Sequence, residues 1–431
     1  MPVGDYVKVK TAEEDIEGIL MPEEKETVVL KLSTGYNIGI NKKRVKEIIV
    51  LKEKKDVKIP APKIEQKEGL PKISILQIGG TIASKVDYVT GGVSAFFQPE
   101  EILSRFPEIK NIASISSRLI SNMFSEDMRF AHYNIIAKEI EKEIKKGCAG
   151  VILPHGTDTM AHTAAALSFM LENLPVPVIL VGAQRSSDRG STDAALNVLS
   201  AALFIVTHKE FTDVAICMHE TVDDKACLIL PATKTRKMHS SRRDAFRAIN
   251  TTPWARVDYN AKKVDFLRLG FAKKTTKALT ITNIKENLKI GIAYSHPNFS
   301  SQELLCYEGY DGLIIMGTGL GHLPVDVVDE HTKEHGAVLE AARTLAKKGT
   351  IVAMATQAIF GKVDMNVYSS GRKQLEAGIL GNYTDMTAET AFIKLAWLLS
   401  NYPKDKVREL YGKNLRGEIS EKLEKTDDTY P

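Results

Sequence analysis

The sequence predicts an α/β protein, in which two α/β domains with parallel sheets follow a small SH3-like β-barrel. Three observations predict this architecture: alternating apolar runs in residues 1–51, a charged segment at 52–72, and apolar runs that alternate with amphipathic helices from residue 73. Strand, helix and strand in that order are typical of parallel strands joined by right-handed crossovers. A chain of 431 residues is long enough for two or three such domains.

The amino-terminal 51 residues contain five short runs in which apolar and polar residues alternate, separated by turn residues such as Ser33, Thr34 and Gly35. This period of two predicts five antiparallel strands. A barrel of this size is usually an interaction module, although a purely stabilising appendage is the alternative. The segment 52–72 is rich in Lys, Glu and Pro, so it lacks the apolar surface needed for a core and is predicted to be a linker.

The first α/β domain, including a connector to the second, is predicted over residues 73–286 and the second over 287–402. Apolar strands start near positions 73, 151, 290, 312 and 351, and amphipathic helices are predicted at 129–146, 159–173, 337–348 and 387–401. The tail at 403–431 is charged and is predicted to be helical at first and then frayed.

Composition restricts the possible functions and the compartment. The net charge of +4 comes from 58 basic and 54 acidic residues, a balance too even to require nucleic acid. No apolar stretch approaches about 18 residues and no signal sequence is recognisable, so we expect a cytoplasmic protein that does not contact membranes. The four cysteines show no paired spacing, which predicts free thiols and no metal site.

Two loops follow predicted parallel strands, at the sheet edge where functional groups gather. The first loop reads GGTIA at residues 79–83, and the second reads HGTDTM at 155–160. Paired glycines let the backbone approach a ligand closely and leave room for an oxyanion among backbone amides. Taken alone, Thr157 or Asp158 could simply cap the helix that follows.

Together the two loops closely resemble the two signatures of the bacterial-type asparaginases. The same order of motifs continues with SEDM at 125–128, VGAQRSSDRGSTDA at 181–194 and PATKTRK at 231–237. The resemblance covers residues 72–402 and implies hydrolysis of a carboxamide by a threonine nucleophile.

Four catalytic side chains are implied by this resemblance: the nucleophile Thr81, the second threonine Thr157 with its partner Asp158, and the lysine Lys234. A threonine hydroxyl is a weak nucleophile and needs a neighbouring base. We expect Lys234 to lie beside Thr157 and Asp158, where desolvation would lower its pKa and let the amine accept a proton. The residues alone leave open which threonine attacks first.

The resemblance also implies a substrate-binding set, which consists of the flap tyrosine Tyr88, Ser125, Glu126, Gly80 and Gly156. Ser125 matches a serine that seats the α-groups of the substrate. Glu126 stands where the family often has glutamine. The preferred amide, glutamine or asparagine, stays open because one methylene contributes only about 1–3 kcal/mol in a pocket.

A barrel and a linker before the asparaginase-like part resemble the asparaginase-like subunits of the archaeal amidotransferases that convert Glu-tRNA(Gln) to Gln-tRNA(Gln). This resemblance implies a homodimer that supplies ammonia to a separate tRNA-amidating partner subunit. ATP and magnesium are expected on that partner, tRNA(Gln) is reached through the complex, and no cofactor is expected on this chain. The alternative is a stand-alone asparaginase or glutaminase with an accessory barrel. A non-enzymatic binding protein is disfavoured because all four catalytic residue types are present.

Overall fold

The computed structural model describes residues 4–22, 25–33, 36–53, 69–80, 84–86, 93–95, 106–185 and 191–422. Five antiparallel strands form the amino-terminal sheet: β1 (Tyr6–Lys10), β2 (Asp15–Leu20), β3 (Thr27–Lys31), β4 (Asn37–Asn41) and β5 (Glu47–Lys52). Their order in the sheet is β4-β3-β2-β1-β5. Alternate side chains, including Val7, Val9 and Leu30, are fully buried. This sheet confirms the prediction of a small antiparallel β module.

The elements that follow build the two α/β sheets, three two-stranded sheets and the helices. The strands are β6 (Lys72–Gly79), β7 (Ser84–Val86), β8 (Val93–Ala95), β9 (Ser114–Met123), β10 (Gly150–Pro154), β11 (Leu171–Glu172), β12 (Val178–Val181), β13 (Val214–His219), β14 (Cys227–Pro231), β15 (Thr235–Lys237), β16 (Phe246–Ala248), β17 (Ala255–Asp258), β18 (Lys263–Phe266), β19 (Thr280–Ile281), β20 (Ile290–Tyr294), β21 (Gly312–Gly317) and β22 (Ile351–Thr356). The helices are α1 (Phe130–Lys145), α2 (Met160–Met170), α3 (Ala194–Thr207), α4 (Ser301–Leu305), α5 (Glu334–Lys347), α6 (Ser369–Glu376), α7 (Ala388–Asn401) and α8 (Lys404–Tyr411).

The larger sheet has eight strands in the order β18-β17-β14-β13-β12-β10-β6-β9. The five from β13 to β9 are parallel, as predicted; β6, β10, β12 and β13 are almost wholly buried, and β9 at the edge of the sheet is partly exposed. The remaining three are antiparallel; β14 must reverse direction because only a short turn joins it to β13 and leaves no length for a crossover. Part of the predicted connector, residues 255–266, therefore belongs to this sheet.

The second sheet is parallel throughout, with the order β20-β21-β22. Helix α7 begins where predicted, because the Thr387 side chain accepts a hydrogen bond from the backbone N–H of Thr390. Helix α1 is followed by Gly147 with a φ of 81°. Helix α2 ends before the predicted position, because Leu171–Glu172 pairs with Thr280–Ile281 and Asn173 adopts a φ of 60°.

The tail is more ordered than predicted. Helix α8 buries Tyr411, and the segment after it carries Glu418, whose side chain is 0% exposed. Glu418 pairs with the equally buried Lys394 at 2.6 Å and also accepts the backbone N–H groups of Leu415 and Arg416. The prediction of a frayed end is thus wrong for residues 412–420, because a fully bonded buried charge pair fixes them in place.

None of the helices in the described ranges is long and apolar enough to cross a bilayer. The four cysteines, all within these ranges, are free thiols; three are buried and Cys306 is exposed. Among the same residues, no group of three or more His, Cys, Asp or Glu side chains is arranged to hold a metal ion.

The buried pair predicts a large loss of stability on Glu418→Gln. The substitution keeps the shape of the side chain but leaves the Lys394 ammonium buried without a countercharge, so we expect unfolding to become easier by about 3–5 kcal/mol. Urea unfolding of both proteins measures the change. The exposed Glu421→Gln is the matched control, and a Glu418→Gln loss no larger than that of the control would contradict the assignment.

Candidate active site

Two glycine-containing loops meet in backbone contact at the carboxyl edge of the larger sheet. They leave the neighbouring strands β6 and β10, and Gly79 and Gly80 have φ values of 123° and 86°. A Cβ atom on Gly80 would lie 2.3 Å from the backbone nitrogen of Gly156. Both the positive φ and the close approach require glycine at position 80.

The predicted binding residue Ser125 lies against the same contact. It begins a short 3-10 turn, Ser125–Asp127, that follows β9, and its side chain is buried. A Cβ atom on Gly156 would lie 2.8 Å from the Ser125 hydroxyl oxygen. The Thr159 hydroxyl donates to the Ser125 carbonyl over 2.6 Å, which ties the turn to the second loop. The structure therefore gathers Gly80, Gly156 and Ser125 in one place.

Thr157 lies in the middle of the site and is only 6% exposed. The Lys237 ammonium donates to the Thr157 hydroxyl oxygen at 2.9 Å and to the Asp158 carboxylate at 2.7 Å. The Lys237 side chain is 14% exposed, whereas Asp158 is 65% exposed. On the other side, a Cβ atom on Gly182 would lie 2.7 Å from the Thr157 methyl carbon. The threonine is therefore held between a lysine and a glycine backbone.

The lysine beside Thr157 and Asp158 is Lys237, so the expectation that Lys234 lies there is wrong. Lys234 ends the short 3-10 turn Ala232–Lys234, and its ammonium forms a buried ion pair with Asp385. Burial lowers the pKa of Lys234, and the attraction of Asp385 opposes that effect. The motif at 231–237 holds two lysines three residues apart; Lys234 ends the turn, and Lys237 ends strand β15, where it reaches the loops.

Thr81 and Tyr88, the predicted nucleophile and flap tyrosine, lie outside the residues that the structure describes. Glu126 is within them and is exposed next to the buried Ser125.

His155, which the sequence did not single out, orders the second loop from inside. Its Nδ1 lies 2.6 Å from the Gly156 carbonyl oxygen and its Nε2 lies 2.8 Å from the Thr163 hydroxyl. A carbonyl oxygen can only accept, so Nδ1 carries the proton and Nε2 accepts from Thr163. Burial lowers the pKa of His155 to about 4, which leaves the ring neutral near pH 7. The neutral ring therefore holds the loop through a bond to Gly156 and a bond to Thr163.

Family models match three consecutive parts of the chain. Residues 72–268 match the model described as asparaginase, N-terminal, and residues 289–410 match the glutaminase/asparaginase C-terminal domain. Residues 1–51 match the GatD N-terminal domain. The matches fall on the larger sheet, the second sheet and the amino-terminal module respectively.

Similar solved structures share the fold of most of the chain. The thermostable L-asparaginase from Thermococcus kodakarensis aligns with a TM-score of 0.70 and 27% identity over 81% of this chain and 99% of that chain. L-asparaginase I from Vibrio cholerae aligns with a TM-score of 0.68 and 26% identity over the same shares. These likenesses confirm the predicted asparaginase-like fold.

Relatives similar over nearly the whole length are glutamyl-tRNA(Gln) amidotransferase D subunits. The protein of Pyrococcus abyssi is 43% identical over 97% of this chain and 95% of its own length. The protein of Methanococcus maripaludis strain C7 is 40% identical over 98% of this chain and 99% of its own length. These matches reach further than those of the two asparaginases, which align with 81% of the chain. The chain therefore belongs to the family of glutamyl-tRNA(Gln) amidotransferase D subunits, which is built on the asparaginase fold.

Proposed function

We propose that this chain releases ammonia from glutamine or asparagine and supplies it to a partner subunit that amidates Glu-tRNA(Gln). The observation that carries the proposal is the contact of Lys237 with Thr157 and Asp158 where the two glycine loops meet. A hydroxyl, an amine and a carboxylate in one hydrogen-bonded group can move a proton to and from an attacking hydroxyl.

In the proposed reaction, the Thr81 hydroxyl attacks the amide carbonyl carbon, and its proton passes into the group formed by Thr157, Lys237 and Asp158. The tetrahedral intermediate collapses as that proton reaches the departing nitrogen, so ammonia leaves and an ester to Thr81 remains. Water then attacks the ester, and the threonine and the free carboxylic acid are regenerated. Thr157, Asp158 and Thr81 keep the predicted roles, and Lys237 takes the role that was predicted for Lys234.

The proposed substrate-binding set stays Tyr88, Ser125, Glu126, Gly80 and Gly156. The absence of side chains at Gly80 and Gly156 lets the two loops approach each other, and it brings the buried Ser125 against Gly156. Glu126 is exposed at the rim, where a carboxylate suits the α-ammonium group of an amino acid.

The proposed assembly is a homodimer of this chain with a tRNA-amidating partner subunit, which would hold ATP and magnesium and bring in tRNA(Gln). The full-length similarity to amidotransferase D subunits supports this assembly over a stand-alone asparaginase or glutaminase. No cofactor is proposed on this chain.

Substitution of Lys237 and of Lys234 in separate variants distinguishes the proposed role in proton transfer from the role in the buried ion pair. For Lys237→Met we expect a fall in kcat of about 10²-fold or more, because the proton-transfer group loses its amine, with little change in stability. For Lys234→Met we expect the opposite pattern, since the buried Asp385 carboxylate loses its partner at a cost of about 3–5 kcal/mol. Ammonia release per folded molecule and urea unfolding measure the two effects. A larger loss of kcat in the Lys234 variant would show that Lys234, and not Lys237, is the catalytic lysine.

The acyl intermediate identifies the attacking threonine. We expect a rapidly quenched reaction with glutamine to leave a glutamyl adduct on the peptide that contains Thr81, detected by its mass. The Thr81→Ala variant is the control and should carry no adduct. An adduct on the peptide that contains Thr157 would show that the proposed order of attack is wrong.

Dependence on the partner separates the proposed function from the stand-alone alternative. We expect slow ammonia release by the purified chain and an acceleration of about 10-fold or more when the partner, ATP, magnesium and Glu-tRNA(Gln) are added. Omission of the tRNA is the control. Fast release that ignores these additions would indicate a free amidohydrolase.

A further inference from the structure

A buried polar cluster lies behind Thr157, on the side away from Lys237. Its centre is Asn197 on helix α3, and the Asn197 side chain is fully buried. The Asn197 amide nitrogen donates to the Gly182 carbonyl at 2.9 Å, and its amide oxygen lies 2.7 Å from His219 Nδ1. The Cys227 thiol donates to the same oxygen over 3.2 Å. Asn197 thus joins helix α3 to strands β13 and β14 and to the end of β12.

The amide of Asn197 can make these bonds in one orientation only. The Gly182 carbonyl can only accept, so it must face the amide nitrogen, and this leaves the amide oxygen facing His219 Nδ1 and the Cys227 sulfur. Because the Asn197 side chain is fully buried, each bond is stronger than in water and an unmade bond costs more. The cluster therefore fixes the position of the Gly182 carbonyl rather than merely filling space.

Gly182 is the backbone that touches Thr157. A Cβ atom there would lie 2.7 Å from the Thr157 methyl carbon and 3.3 Å from the His155 carbonyl oxygen. The preceding residue, Val181, accepts the backbone N–H of His155 at 2.9 Å. Two residues further on, the Asp193 carboxylate accepts the N–H groups of Gln184 and Arg185, each at 3.0 Å. The whole 181–185 segment is thus anchored, and Asn197 holds its point of contact with the site.

We propose that Asn197 is a positioning residue for the amidase reaction. It holds the Gly182 backbone, which in turn sets the distance of the Thr157 hydroxyl from Lys237. The inference rests on the proposed role of Thr157. Asn197 contacts neither Thr157 nor Lys237, so it acts through the backbone alone. A misplacement of about 1 Å in such a site costs about 10²-fold in rate, so the loss should appear in kcat.

The test is Asn197→Leu, which is close to asparagine in size and removes every polar bond of the side chain. Asn134→Leu is the matched control: Asn134 is also a buried asparagine, and it exchanges hydrogen bonds with the carbonyl and N–H of Ile284 at 2.8 and 3.0 Å. Ile284 belongs to none of the loops that form the site. Both variants should lose stability, but only Asn197→Leu should lose about 10- to 100-fold in kcat, with KM changed by less than about 3-fold.

A second variant, Asn197→Ser, keeps the experiment decisive if the leucine variant does not fold. A hydroxyl on the shorter serine side chain does not span the distance from α3 to both Gly182 and His219, so we expect a kcat loss in the same direction with a smaller loss of stability. All variants are assayed as full chains at a temperature where unfolding curves show them to be folded. If folded Asn197 variants keep the kcat of Asn134→Leu, the inference is wrong. If the wild-type chain and the control release no ammonia even with the partner present, the proposed function fails instead.

Discussion

The contact between Gly80 and Gly156 is the constraint on which the rest of the site depends. Their backbones approach so closely that a Cβ atom on Gly80 would lie 2.3 Å from the Gly156 nitrogen. This approach is possible because β6 and β10 are neighbours, and it brings the ends of their loops together. On the outer side of β6, strand β9 delivers Ser125 against Gly156, and on the outer side of β10, strand β12 delivers Gly182 against Thr157. The four neighbouring strands β12, β10, β6 and β9 thus each position one segment of the candidate site.

Features that depend on local chemistry could be read from the sequence. The glycine loops, the start of helix α7 at Thr387 and the five amino-terminal strands each follow from residues within a few positions of one another. The choice between Lys234 and Lys237 does not, because it depends on Asp385, which lies 151 positions away from Lys234. The same holds for Glu418: a charged residue in a charged tail predicts exposure, and only its pairing with Lys394 buries it.

Lys234 does not contact Thr157 or Asp158 in the described structure; it stabilises the turn that leads into the strand carrying Lys237. Its buried pair with Asp385 fixes the residue that precedes β15, and its carbonyl accepts the N–H of Ile249 at 2.7 Å. Asp385 also accepts the N–H of Ser420, so the ordered tail ends on the same carboxylate. The Lys234 ammonium tolerates little displacement, because moving it would leave the buried Asp385 carboxylate without a countercharge and without water. The strand that carries Lys237 is therefore anchored at its base by an ion pair between the two asparaginase-like regions.

The two sides of Thr157 differ in their access to water, and this difference bears on when the attraction between Asp158 and Lys237 in the proposed proton-transfer group is strongest. The Gly182 side rests on the fully buried side chain of Asn197, whose amide nitrogen donates to the Gly182 carbonyl. On the opposite side, Asp158 is 65% exposed, and in water its attraction for Lys237 contributes only about 0–1 kcal/mol. A substrate that covers Asp158 excludes water there and lowers the local dielectric, which strengthens the pull on Lys237 without any change of distance. In the proposed reaction, the buried side sets the geometry before the substrate binds, and the attraction between Asp158 and Lys237 reaches its full strength only when the substrate covers Asp158.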